Sequence, residues 1–287
     1  MGNLVAKKYP TKLFLDAADH TYVECGNGAK GWSCWGGKTG GTAFNSGPGS
    51  TKRADCIAKP DERAGITCYL VNGVCHQAAN RILLPAGILV SAARGYAVSS
   101  AIFGPYGKMG FWPCAAPFDQ CRGVSGDLPE CMAARSRARM PKIALVKGEN
   151  WHLRAIKVAY NKFDMEATPL ESMRFQVDLF EKEVKFRLGE NLGAAGRGLR
   201  LAKESVEFEH MRLAQSFALE NMGPVEYIKS FNEMTLKFQD ELASAISEDQ
   251  YGRLLGMTRG EKVVLADPDI IDSLYGEGTA NEVYGKR

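Results

Sequence analysis

The sequence predicts an α+β fold: a small antiparallel sheet packed on a short helix in the first part of the chain, followed by an α-helical bundle region. Three observations carry this. Residues 19–25 alternate in a period of two and end on a glycine turn. Residues 74–84 switch to helical spacing, with Ala78, Ala79, Ile82 and Leu83 on one face. After residue 168 three long stretches carry an apolar stripe at steps of three and four.

Residues 11–25 read as an entry segment and then a strand, with His20, Tyr22 and Glu24 on one face. Gly26, Asn27 and Gly28 form a turn, and Trp32 to Trp35 a returning strand whose tryptophans serve hairpin packing rather than substrate stacking. Residues 36–52, rich in Gly, Ser, Thr and Asn, read as a long loop of the kind that borders a site. A β-rich run at 67–71 meets the Asn72-Gly73 break, and the helix of residues 74–84 follows. Residues 88–90 and 96–103 suggest two more strands, and 142–146 another. The proline-rich stretch 104–141 holds Cys114, Cys121 and Cys131, and its order is expected to depend on disulfides.

Thr168, Pro169 and Glu171 make a capping box with proline at the first helical position. The stripe Leu170, Met173, Val177, Phe180, Val184, Leu188 follows, until glycines 189, 193, 196 and 198 weaken or break it. A second run covers 199–221, a third starts at Pro224, and Ser247 with Gln250 caps a short helix that stops near Gly256. Beyond Gly260 the chain reads as extended through Asp267 and Pro268, with a loose end. The expected division is 1–165, Cys-rich and site-bearing; 166–260, helical; and 261–287, an extended tail. His210 sits among charges and reads as a solvated surface residue.

Composition narrows the function classes. With 45% hydrophobic and 24% charged residues the chain reads as globular. Its most apolar window, 82–103, is interrupted by Pro85, Gly87, Arg94 and Gly95, which argues against a membrane span. No apolar signal segment opens the chain as given, and Ala6 breaks the pattern of a myristoylation site. The net charge of +3 divides into +10 over residues 1–165 and −7 over 166–287, which suggests docking of one part on the other or separate partners; the helical region is also a candidate surface for homo-oligomer formation. Basic residues are not interleaved with aromatics, so nucleic acid is not an expected partner. The eight cysteines all lie within the first 131 residues, a crowding that favours disulfides and a secreted or periplasmic protein over a cytoplasmic one. They lack tight metal-knuckle and haem spacings, so neither metal nor cofactor is expected. With Cys75 free, one further cysteine is left over, and Cys131 is the choice.

Cys75 falls in the first turn of its helix, where unpaired N–H groups and the positive end of the dipole favour a thiolate. The run Asn72, Gly73, Val74, Cys75, His76 through Asn80, Arg81, Ile82 and Leu83 resembles the nucleophile helix of the papain-like cysteine hydrolases, more particularly the circularly permuted NlpC-type branch. The upstream segment from Asp19 and His20 through Gly26, Gly28, Trp32 and Trp35 to Gly37 resembles that branch's histidine-bearing strand, glycine turn and Trp-rich return. The resemblance implies a papain-like sheet against the nucleophile helix and a peptide or amide substrate. It also implies Cys75 as nucleophile and His20 as general base; a deamidase or transferase would use the same pair. Glu24 and Ser33 are open alternatives as the group orienting His20. In ordinary chain order His152, with Asn161 or Asp164, would replace His20. His76 is poorly placed as a base next to Cys75, and Asn80 reads as a capping or core residue. The competing class is a disulfide-rich binding or structural module without catalysis, in which Cys75 is merely bonded.

Overall fold

Four strands form one antiparallel sheet in the order β3-β2-β1-β4, built from β1 (Gly2–Pro10), β2 (Asp19–Cys25), β3 (Gly31–Trp32) and β4 (Thr42–Gly49). The computed structural model describes residues 2–11, 18–33, 37–63, 69–108, 169–218 and 220–285. Strand β1 pairs with β2 so that Tyr9 faces His20 and Lys7 faces Tyr22. Leu4 and Ala6 alternate inward and are fully buried, a period-two signal. The predicted glycine turn closes β2 onto β3: Cys25 N–H donates to Lys30 O, and Gly28 takes φ +71°. Trp32 is buried and its indole donates to Asp55 Oδ1 at 3.1 Å, a packing role.

Several expectations are corrected. The loop expected over 36–52 contains β4, followed directly by α1 (Thr51–Arg63). Glycines make β4 a poor strand by propensity, yet they suit this edge: a Cβ at Gly49 would lie 2.9 Å from Leu4 Cδ1, and one at Gly47 3.2 Å from Ile88 Cγ2. Of the β-rich run expected over 67–71, residues 69–71 are described, and they form a turn with one bridge between Tyr69 and Gly73. The helix α2 (Cys75–Leu83) stands where it was expected, with every residue buried. Residues 88–90 pair with side chains instead of a strand: Val90 N–H donates to Asn80 Oδ1 at 2.8 Å, and Asn45 Nδ2 donates to Leu89 O at 2.9 Å. Residues 96–103 form the helix α3 (Tyr96–Phe103). Its inside and outside are both apolar, so no periodicity distinguishes helix from strand. The region expected to be ordered by disulfides over 104–141, the strand at 142–146, and His152, Asn161 and Asp164 lie outside the described residues.

The helical region begins as expected with α4 (Pro169–Leu188). The next helix, α5 (Gly193–Ala218), starts earlier than the glycine pattern suggests, followed by α6 (Pro224–Ala245). Helix α7 (Glu248–Leu255) has the predicted box, with Gln250 N–H donating to Ser247 Oγ at 3.2 Å. The segment expected to be an extended tail contains α8 (Pro268–Tyr275) and α9 (Thr279–Tyr284). Each is too short to show a stripe, and tertiary anchors hold them: Tyr284 Oη donates to Ala266 O at 2.7 Å.

Two apolar clusters meet at α2. Ala79, Ile82 and Leu83 pack with Leu4, Ala6, Val23 and Trp32 of the sheet. Val74 and Ala78 belong to the larger cluster, which runs through Phe103 to Phe180, Phe231, Phe238 and Ile271. The short helix is thus enclosed between the sheet and the long helices. No helix among the described residues is long and apolar enough to cross a membrane.

Candidate active site

Cys75 is placed by a turn whose backbone is fixed at many points. Leu70 adopts φ +63°, a left-handed conformation costly for a branched side chain. Its N–H donates to Gly73 O, and its carbonyl accepts from His210 Nε2 and from Tyr227 Oη, both at 2.9 Å. Asn72 O accepts from Lys108 N–H at 2.8 Å. Val74 then caps α2 with extended backbone, its N–H donating to the Gln77 side chain at 3.1 Å. Cys75 follows as the first helical residue, and its sulfur lies 3.7 Å from Asp19 O.

That carbonyl belongs to the residue before His20. The contact of α2 with β2 brings the Cys75 sulfur near the His20 imidazole. The His20 ring is fully buried and stacks on Tyr9 at 4.7 Å between centroids. Its Nε2 donates to Gly37 O at 3.0 Å, and Tyr9 Oη accepts from Gly37 N–H at 3.1 Å. Its Nδ1 faces Asp267 Oδ2 at 3.6 Å, an ion-pair contact longer than a hydrogen bond. Burial works against a charge on this ring. The Asp267 carboxylate and the Cys75 sulfur outweigh it and push the His20 pKa up to about 10.

Asp267 is the neighbour of His20 that sequence reasoning missed. Its backbone opens α8, and Oδ1 accepts from Asp269 N–H at 2.9 Å while Oδ2 is left toward His20. A signal for the cap was present: Asp267 before Pro268 and Asp269 is a helix start. Nothing local tells that this cap reaches His20. Of the earlier candidates, Glu24 is drawn to Lys7, 2.6 Å away on the neighbouring strand, and Asp267 rather than Ser33 faces Nδ1.

His76 takes another part. It is buried and held neutral, burial lowering its pKa to about 4. Its Nε2 lies 3.0 Å from Asp19 O and its Nδ1 2.8 Å from Ser99 Oγ, so the ring clamps α2 to β2 and α3. Asn80 bonds Pro105 O at 2.7 Å as well as Val90, a core role. His210, expected on the surface, is instead fully buried between Phe103 and Phe231. The charges flanking it in sequence include Glu207, which turns inward to meet two lysines, and His210 follows on the same buried face of α5.

Cys75 and Cys25 are free thiols. The Cys25 sulfur bonds Asn27 Oδ1 and Lys30 N–H, each at 3.0 Å. Cys131, expected to be the odd thiol, lies outside the described residues. Among the described residues no cluster of His, Cys, Asp and Glu has the makings of a metal site. No protein-family model, curated protein or solved structure matches the chain.

Proposed function

We propose that this protein is a cysteine-dependent amide hydrolase, a peptidase or amidase, built on the papain-like plan in the permuted order of the NlpC-type branch. The observation that carries the reading is the His20 imidazole, which has the free Cys75 thiol and the Asp267 carboxylate as its ionisable neighbours. The permuted order is supported by His20 preceding Cys75 on a strand that contacts the nucleophile helix.

The reaction runs through the thiolate form of Cys75 and the imidazolium form of His20, with Asp267 balancing the ring's charge. The sulfur attacks the substrate carbonyl carbon, and the electron pair of the C=O bond moves onto oxygen. The Cys75 N–H, at the first position of α2 and without an intrahelical acceptor, donates to that oxyanion. When the C–N bond breaks, His20 gives the leaving amine its Nδ1 proton, which no hydrogen bond holds in the resting site, while Nε2 stays bonded to Gly37 O. A water then loses a proton to His20 and attacks the acyl-thioester, releasing the acid and restoring the pair. Deamidases share these steps, and a transferase replaces the water with another acceptor. The free state of Cys75 speaks against the alternative in which it is half of a structural disulfide.

The test is the pH dependence of iodoacetamide alkylation with peptide mapping, followed by an activity-based cysteine probe. Cys75 should react faster at pH 6 than any other thiol, and His20→Ala should abolish that advantage. A Cys75 that reacts no faster than Cys25 at pH 6 would overturn the reading.

A further inference from the structure

Tyr69 is a buried polar group for which the proposed reaction has no use. It is fully buried, six residues before Cys75, and its hydroxyl touches both sides of the segment that bears Asp267. Asp267 N–H donates to Tyr69 Oη at 2.6 Å, and that hydroxyl donates to Leu265 O at 3.1 Å. We infer that Tyr69 is the positioning residue of the site: it fixes the backbone of Asp267 so that Oδ2 faces His20. This inference rests on the reading of Cys75, His20 and Asp267 as a reacting set.

Three features support it. First, packing alone calls for Phe here, because burying a hydroxyl is costly unless it finds partners. Its partners include the amide of Asp267 itself and a carbonyl two residues before. Second, burial holds the phenol pKa well above its usual value, so the group stays neutral and can donate and accept at once. Third, Tyr69 begins the turn that delivers Cys75: it bridges to Gly73, whose carbonyl accepts from Leu70 N–H. One side chain therefore ties the nucleophile's turn to a segment 198 residues away in sequence. With Oδ1 committed to the Asp269 amide, the carboxylate has one oxygen left. Its direction follows the Asp267 backbone, and an error of an ångström there weakens the interaction that raises His20.

The experiment compares the pH profile of Cys75 alkylation in the full chain and in Tyr69→Phe, Asp267→Asn and the double variant. Loss of the carboxylate destabilises the imidazolium and hence the thiolate form of Cys75, so the rise of alkylation moves to higher pH. Tyr69→Phe is expected to move it in the same direction by about one pH unit, a tenfold change in the ionisation equilibrium. The double variant is expected to match Asp267→Asn alone, because the hydroxyl acts only through that carboxylate. An unchanged profile in Tyr69→Phe, with that of Asp267→Asn shifted to higher pH, overturns the role of Tyr69 and leaves the reacting set intact. Additive effects in the double variant overturn it too, since they mark a general loss of packing. An unchanged profile in Asp267→Asn overturns both. Should Tyr69→Phe not fold, amide exchange in the wild-type protein decides: an Asp267 N–H that exchanges as an open chain does overturns the inference.

Discussion

Two clusters of charge lie in the interior of this protein, and each includes a fully buried histidine with the opposite tendency. In the sheet-side cluster, His20 is raised to about 10 in spite of burial, because Asp267 and Cys75 attend it. In the helical cluster His210 is lowered to about 3, first by burial and then by the charge of Lys108. There Glu207 bonds both Lys203 and Lys108, and Lys203 Nζ also donates to Ala101 O at 2.7 Å, at the end of α3. Burial alone thus does not decide the charge of a histidine; the sign of its neighbours does. The second cluster is closed on itself and fastens α3 and the following loop to α5. The first leaves the free Cys75 sulfur beside the raised His20, the arrangement that the proposed reaction would use.

The largest effect expected of this contrast is on reactivity. Cys75→Ala should remove the fast alkylation phase while the melting temperature stays close to the wild type. His20→Ala should slow Cys75 alkylation at pH 6 by about 10²-fold, the penalty for an ordinary thiol working far below its pKa. Fast labelling retained in His20→Ala would break the comparison.

Stability should respond to the other cluster. Glu207→Gln leaves two buried lysines without a counter-charge and is expected to cost about 3–5 kcal/mol in denaturant unfolding. The Cys75 alkylation profile should not move. A shift of that profile would show that the two clusters are coupled.

A smaller effect is expected from pH. His76 and His210 have folded pKa values below the unfolded value of about 6.5, so the unfolded chain binds more protons in acid. Stability should therefore fall from pH 6.5 toward 4, by about 1.4 kcal/mol per unit for each histidine. His210→Gln should remove one such slope, read from unfolding curves at pH 6, 5 and 4.5. His20 has the opposite sign: its raised pKa contributes stability that is full below about 6.5 and is lost as pH rises toward 10. The smallest effect is expected at the rim, where Glu24→Gln breaks a surface pair with Lys7 and should leave alkylation unchanged.

Much of this was legible in the chain itself, wherever a signal is local. The glycine turn after β2, the start of α2 at Cys75 and the cap of α7 at Ser247 each depend on a few adjacent residues and were found where the pattern put them. Cys75 and His20, paired in the sequence by a resemblance to known motifs, lie near each other in the fold, and their catalytic role is a proposal. What required the tertiary structure is whatever depends on a distant partner. The strand β4 exists because β1 offers an edge and glycines allow close approach, although its own residues favour a loop. Helix α3 is apolar on all sides and takes its form from the helices around it. The sequence around His210 offers water as readily as burial, and only the packing of α5 against α3 and α6 chose. Asp267 was expected in an extended tail; it caps α8, and its second oxygen meets His20 through contacts between segments far apart in sequence, among them the bond of its N–H to Tyr69. Local geometry is written in neighbouring residues, whereas a charge network is a property of which surfaces meet.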